Sequence, residues 1–228
     1  MKAIVFDTET TGIISPEIIE SAWMLAEFVA VEDDPDNPIL QFGMSITKRF
    51  KPETRISMGA MATHHIMDED LKDSPPSSTF KLPESVKYLI GHNIDFDWKV
   101  AGSPEGIKRI DTLCLARKFW PECDSHSLSA LTYYLFRSSA RADLQSAHSA
   151  ETDIQLTGNL LQAIVGKANF TINDFDTLWN LSESARVPDT MPFGKHKGEK
   201  IINVPADYKR WLLNQSDIDP YLAKALKS

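Results

Sequence analysis

Five side chains carry the chemistry this sequence offers, and they sit in three short stretches. Asp7 and Glu9 close the apolar run Ile4-Val5-Phe6 near the start of the chain. Side chains alternate across a strand, so positions i and i+2 point to one side and Thr8 turns away. Two anionic oxygen ligands side by side are costly unless a cation neutralises them, and Mg²⁺ or Mn²⁺ suits all-oxygen ligation. Alone, Asp-x-Glu also reads as a polar strand end facing water. Further acids along the chain favour the metal reading. Asp97 ends Gly91-His92-Asn93-Ile94-Asp95-Phe96-Asp97, which follows the apolar run Tyr88-Leu89-Ile90 and reads as a strand end entering a helix. His148 and Asp153 open a segment whose apolar residues (Ile154, Leu156, Leu160, Leu161, Ile164, Val165) recur at helical spacing. Five residues span about 500° of an ideal helix, so these two would not share a helical face. The spacing fits His148 on the loop before the helix and Asp153 on its first turns. A histidine there, next to a carboxylate, suits a general base beside a metal ligand.

The elements that must position these groups follow from the hydrophobic pattern. Strands are expected at about 2–7, 18–31 and 39–50, with turns at Asp33-Asp34-Pro35 and Asn37-Pro38 between the last two. A strand near 87–91, a helix from about 94 and a strand near 107–111 come next. Helices follow near 112–119, 126–137 (capped by Ser125 or Ser127) and 147–166. Ser74-Pro75-Pro76-Ser77-Ser78 reads as a surface loop. This order fits an α/β class: a ribonuclease-H-like mixed β-sheet flanked by helices, over residues 1–167. A small C-terminal α+β appendage is expected over 168–228. There Asn169 to Val187 reads as helix, with Phe170, Phe175, Leu178 and Leu181 apolar, and the glycines of Phe193-Gly194-Lys195-His196-Lys197-Gly198 could frame a small hairpin.

The motif residues resemble the DEDD 3′→5′ exonucleases of the histidine-containing branch. This group includes the proofreading subunit of bacterial replicative polymerase, RNase T and exonuclease X. Asp7 and Glu9 match its first motif, Asp97 the second (His-Asn-x-x-Phe-Asp), and His148 with Asp153 the third (His-x-x-x-x-Asp). The stretches Lys51-Pro52-Glu53, Ala62-Thr63-His64-His65-Ile66 and Asp111-Thr112-Leu113-Cys114-Leu115-Ala116-Arg117 are similar too, and the resemblance covers roughly residues 1–165. The tail places the chain closest to exonuclease X.

The resemblance implies hydrolysis of phosphodiesters at 3′ ends with two divalent ions, Mg²⁺ or Mn²⁺, and release of nucleoside 5′-monophosphates. Asp7 would bridge both ions, Glu9 and Asp153 would complete the site holding the attacking water, Asp97 would support the second ion, and His148 would take the proton. It places Thr8, Thr10, Thr11 and His65 at the terminal nucleotide; the threonines also read as turn formers and His65 as a surface histidine. Asp111 reads as a structural acid, and His92 and Asn93 as braces of the strand–helix turn. Two departures from the family pattern, Trp23 in the second strand and the segment 72–86, lie where substrate preference would be set.

The expected substrate is DNA, single-stranded or frayed, in repair or proofreading. The rival of like chemistry is an exoribonuclease; the rival of another class is a non-catalytic nucleic-acid-binding or protein-interaction module, for which converging carboxylates have no use. Composition is ordinary for a globular protein, with 42% apolar residues in 228. The net charge of −8 is a caution against nucleic-acid binding, which phosphate neutralisation drives, although bound cations would offset some of it. No signal peptide is expected, because a strand starts at Lys2, and no apolar run reaches the roughly 18 residues of a membrane span. Two cysteines without a zinc-ligand pattern fit a reducing cytoplasm. Residues 186–210 run against the overall charge, with six Lys/Arg against three acids. With Phe193, Tyr208 and Trp211 they offer either a nucleic-acid surface or a small self-contained core.

Overall fold

The computed structural model describes residues 2–145, 148–168 and 172–227. A six-stranded mixed sheet organises them, with strand order β3-β2-β1-β5-β6 and β4 also paired to β2. The strands are β1 (Lys2–Thr10), β2 (Ile18–Val31), β3 (Asp34–Phe42), β4 (Ile46–Arg49), β5 (Val86–Gly91) and β6 (Lys108–Asp111). β1 runs antiparallel to β2 and parallel to β5, and β5 runs parallel to β6. The fold class read from the sequence is the one observed.

The expected strand over 39–50 is instead two. β3 pairs with the distal half of β2 and β4 with its proximal half, so they lie end to end along one edge. The turn falls at Glu32-Asp33, and Asp34 already belongs to β3. Pro38 lies within β3, because an edge strand tolerates proline at a position where no ladder N–H is needed.

Among the described residues the helices are α1 (Met58–His64), α2 (Asp95–Val100), α3 (Thr112–Phe119), α4 (Leu128–Leu135), α5 (Ala140–Asp143), α6 (Ala150–Lys167), α7 (Phe175–Ala185), α8 (Ala206–Leu213) and α9 (Pro220–Lys227). Ser127, not Ser125, caps α4, accepting the Ala130 N–H, and Asp111 caps α3 through the Leu113 N–H. The helix expected from Asn169 is described only from Phe175; Asn169 and Phe170 lie outside the described residues.

Alternation along β1 divides the core. Ala3 and Val5 join the cluster that holds Ile154, Leu160, Leu161 and Ile164 of α6, while Ile4 and Phe6 pack with Leu89 and Ile94 on the other face. The α6 face therefore continues along odd positions to Asp7 and Glu9. Phe175, Leu178, Trp179 and Leu181 of α7 pack on this same first cluster. A separate aliphatic cluster joins Met191, Ile201, Val204, Leu212, Leu222, Ala225 and Leu226. Among the described residues the β content there is one antiparallel bridge, Thr190 to Lys200, rather than a hairpin of strands.

Candidate active site

Strand ends and helix starts meet at the carboxyl ends of the parallel strands, the usual ligand side of such sheets. Pairing of β1 with β5 stops at Val5. Beyond it, Thr8 turns its backbone to α2: Asp97 Oδ1 accepts the Thr8 N–H at 3.0 Å and the Thr8 hydroxyl at 2.7 Å. From the other face α6 delivers Asp153. Ser149 caps that helix through the Thr152 N–H, which sets the helix start just after His148, as the five-residue spacing required. One carboxylate oxygen each from Asp7, Glu9 and Asp153 lies within 4.8 Å of the others.

Four carboxylates this close perturb each other. Burial holds the Asp7 carboxyl well above its ordinary range, and Asp97, Asp153, Glu9 and Glu20 push the same way. Glu9 is raised to about 8 by burial, then by Asp153, Glu20 and Asp97. Asp97 rises to about 7, again through burial, with the Thr8 hydrogen bonds opposing. Asp153 is raised by burial and lowered in part by His148. The cluster thus lacks the positive charge its ionised form needs. Hard all-oxygen ligands of this kind fit a divalent cation.

His148 sits at the edge of this cluster. Its backbone is left-handed (φ 66°) and its N–H approaches Asp153 Oδ1 at 3.4 Å. Its ring is exposed to solvent and is not one of the three converging ligands.

A cavity of about 350 Å³ adjoins the cluster, lined by Thr8, Glu9, Thr10, Gly12, Ile13, Ser57, His64 and Phe96 among others. Thr8 and Thr10 both line it. Thr11 instead holds the following turn: its N–H donates to the Glu17 carbonyl, its hydroxyl accepts the Glu17 N–H and its carbonyl accepts the Ser57 N–H. His65 is not among the residues that line it. It caps α1 in a left-handed conformation (φ 60°) and is exposed. Its neighbour His64 is the buried histidine at the cavity: Nε2–H donates to the Thr10 carbonyl at 3.3 Å and Nδ1 accepts the Ile66 N–H at 3.0 Å. Burial lowers its pKa.

One acid escaped the motif reading. Glu20 is only 3% exposed and lies opposite Glu9 in the β1–β2 ladder. Its Oε1 accepts the Ala150 N–H at 3.2 Å and its Oε2 pairs with Arg49 Nε at 2.8 Å. Its sequence signal was a lone acid inside an apolar strand.

Asp111, read as a structural acid, and Asp95 of the second motif are both held by partners outside the cluster. Asp95 pairs with Arg109 and Arg186 at 2.8 and 2.6 Å, and Asp111 Oδ1 accepts the N–H groups of Asn93 and Leu113. His92 bridges Thr112 and the His126 carbonyl.

Comparison with solved structures matches the chain to "Exonuclease X in complex with 5′ overhanging duplex DNA", with a TM-score of 0.56 and 23% identity over 79% of this chain and 99% of that one. The fold is that of a ribonuclease-H-like exonuclease. Among curated proteins, "DNA polymerase III PolC-type" of Latilactobacillus sakei subsp. sakei (strain 23K) is 28% identical over 183 residues, 72% of this chain but 11% of that protein. Both matches bear out the resemblance to the DEDD exonucleases. Residues 181–220 match a separate family model, QSregVF_b, described as "Putative quorum-sensing-regulated virulence factor". Among the described residues no helix is long and apolar enough to cross a membrane.

Proposed function

We propose that this chain is a metal-dependent 3′→5′ exonuclease acting on single-stranded or frayed DNA ends. The observation that carries the proposal is the meeting of Asp7, Glu9 and Asp153 within 4.8 Å, with Asp97 alongside, at the carboxyl ends of the strands. A structural role explains poorly why four carboxylates should be driven together against their mutual repulsion.

Asp7, Glu9, Asp153 and Asp97 would hold two divalent ions, Mg²⁺ or Mn²⁺. Such ions supply activation of water and stabilisation of the attacking and leaving oxygens. Asp7 feels each of the other carboxylates, a crowding that bound cations would relieve. In the reaction, water attacks the terminal phosphorus and the bond to the 3′-oxygen of the preceding nucleotide breaks. A nucleoside 5′-monophosphate leaves, and the shortened strand keeps a 3′-hydroxyl. His148 accepts the proton of the attacking water; its solvent-exposed ring on the loop before α6 can pass that proton to bulk water, and bulk water supplies the proton taken up by the leaving 3′-oxygen. Thr8 fixes Asp97, and Thr10, His64, Ile13 and Phe96 form the walls against which the terminal nucleotide rests. Soluble cytoplasmic work in repair or proofreading accords with this chemistry.

Polarity and sugar preference are tested together on 5′-labelled DNA and RNA of one sequence, each with a free or an inverted 3′-terminal nucleotide. We expect stepwise shortening of the free-ended DNA, with the blocked strand intact and RNA slower. Cleavage of the blocked DNA would contradict the 3′ polarity, and faster loss of RNA would contradict the DNA assignment.

A further inference from the structure

The C-terminal cluster is built from aliphatic residues, and two of the module's large aromatics take no part in it: Phe193 is 48% exposed and Trp211 55%. Burying either would remove much apolar surface from water, so leaving both outside is costly unless something covers them. They belong to one built surface. The loop 191–199 is closed by backbone hydrogen bonds between Met191 and Glu199 and between Gly198 and Met191. Gly194 lies so near α8 that a Cβ there would meet the Tyr208 hydroxyl at 2.6 Å, and its φ of 75° suits glycine. His196 meets the Tyr208 ring edge-on at 4.6 Å, and Tyr208 in turn lies 5.5 Å from Trp211. His196, Tyr208 and Trp211 form a continuous aromatic row, with Phe193 at the adjoining loop.

Charge singles out the occupant. Between Thr190 and Trp211 there are five cations (Lys195, Lys197, Lys200, Lys209, Arg210) against two acids, in a chain of net charge −8. Lys195, Lys197, Lys200 and Arg210 are exposed, and one of the acids, Glu199, is engaged by His196 at 2.9 Å. Planar rings flanked by cations on an otherwise acidic protein complement stacked bases joined by phosphates. An acidic or neutral protein partner would account for the lysines or for the rings, but not for both.

We propose that the 193–200 loop and α8 form a platform for single-stranded nucleic acid, with bases stacked on Trp211 and Phe193 and phosphates met by Lys195, Lys197 and Arg210. The inference rests on the nuclease reading and adds a second hold on the strand, built on the separate C-terminal cluster. Such a hold keeps a long substrate on the enzyme between cleavages, while a dinucleotide is too short to use both sites.

The test is fluorescence anisotropy of a labelled 20-nucleotide oligothymidylate with the full-length chain in EDTA, where hydrolysis is off, alongside hydrolysis of a dinucleotide in Mg²⁺. Phe193→Ala with Trp211→Ala should weaken 20-mer binding at least about tenfold. Lys195→Ala with Lys197→Ala should flatten the dependence of log affinity on log salt by roughly one unit. Dinucleotide hydrolysis should be unchanged in both variants, which also shows that they fold. Wild-type affinity and salt slope in both variants, with hydrolysis intact, would overturn the platform, leave the nuclease reading standing and turn attention to a protein partner. Absence of both binding and hydrolysis in the wild-type chain would instead overturn the two readings together.

Discussion

At the scale of single residues, the decisive property of this chain is repulsion held in place by hydrogen bonds. Glu9 and Asp97 are raised to about 8 and about 7, whereas an unfolded carboxyl titrates near 4. Between those limits the metal-free folded chain binds more protons than the unfolded one, so its stability falls as the pH rises. We expect the melting temperature in EDTA to drop from pH 5 to pH 8.5, and Mg²⁺ to raise it most at the alkaline end. A melting curve indifferent to both pH and Mg²⁺ would contradict a cation site here. Glu20 acts one step back, holding the first turn of the helix that carries Asp153. Glu20→Gln places an amide donor against the Arg49 Nε–H or the Ala150 N–H. It should raise the Mg²⁺ needed for half-maximal activity roughly tenfold or more, and an unchanged Mg²⁺ titration would remove Glu20 from this role. The meeting of Asp7, Glu9 and Asp153 was legible because residue type and spacing together point to it. Glu20 was not, because a lone acid in a strand says nothing of its partners. His64 and His65 could not be told apart either, since the distinction depends on where α1 ends and which residue turns left-handed.

Among the elements, the seating of α6 on the sheet controls where Asp153 lies. Gly158 lets that helix come close: a Cβ there would stand 2.5 Å from Met24 Cε and 3.3 Å from the Phe42 ring. The Met24 terminus is flexible and could yield to a single methyl, so Gly158→Ala should change stability by less than about 1 kcal/mol, its better helix propensity offsetting the contact. Gly158→Val reaches further toward the Phe42 ring. It should cost about 1–3 kcal/mol in chemical denaturation and slow hydrolysis by displacing Asp153. Equal stability of the two variants would show that α6 has room to spare. Most elements were readable from periodicity because each buries one face. The β3–β4 edge was misread for the opposite reason, since proline there mimics a turn. The start of α6 was readable from chemistry, through the requirement that His148 and Asp153 lie on different elements.

For the molecule as a whole, the C-terminal hydrophobic cluster stands apart from the clusters on the two faces of the sheet. The α6-face cluster includes α7, so we propose that the boundary expected after residue 167 lies after α7, near residue 187. The buried Arg186 joins the parts: it pairs with Asp95 at 2.6 Å and lies under the Tyr221 ring of α9, 5.3 Å away. Sequence alone could not assign α7, because an amphipathic helix announces a buried face without naming what covers it. Nor could it choose between core and surface for Phe193 and Trp211, which only packing decides. Every activity proposed for this molecule depends on the carboxylate cluster being the seat of hydrolysis. The most direct test is a gel assay of 5′-labelled single-stranded DNA with Mg²⁺, comparing the wild-type chain, an EDTA control and Asp7→Ala shown to be folded. We predict a ladder shortening from the 3′ end in the wild type and none in either control. Wild-type cleavage by folded Asp7→Ala, or in EDTA, would contradict it.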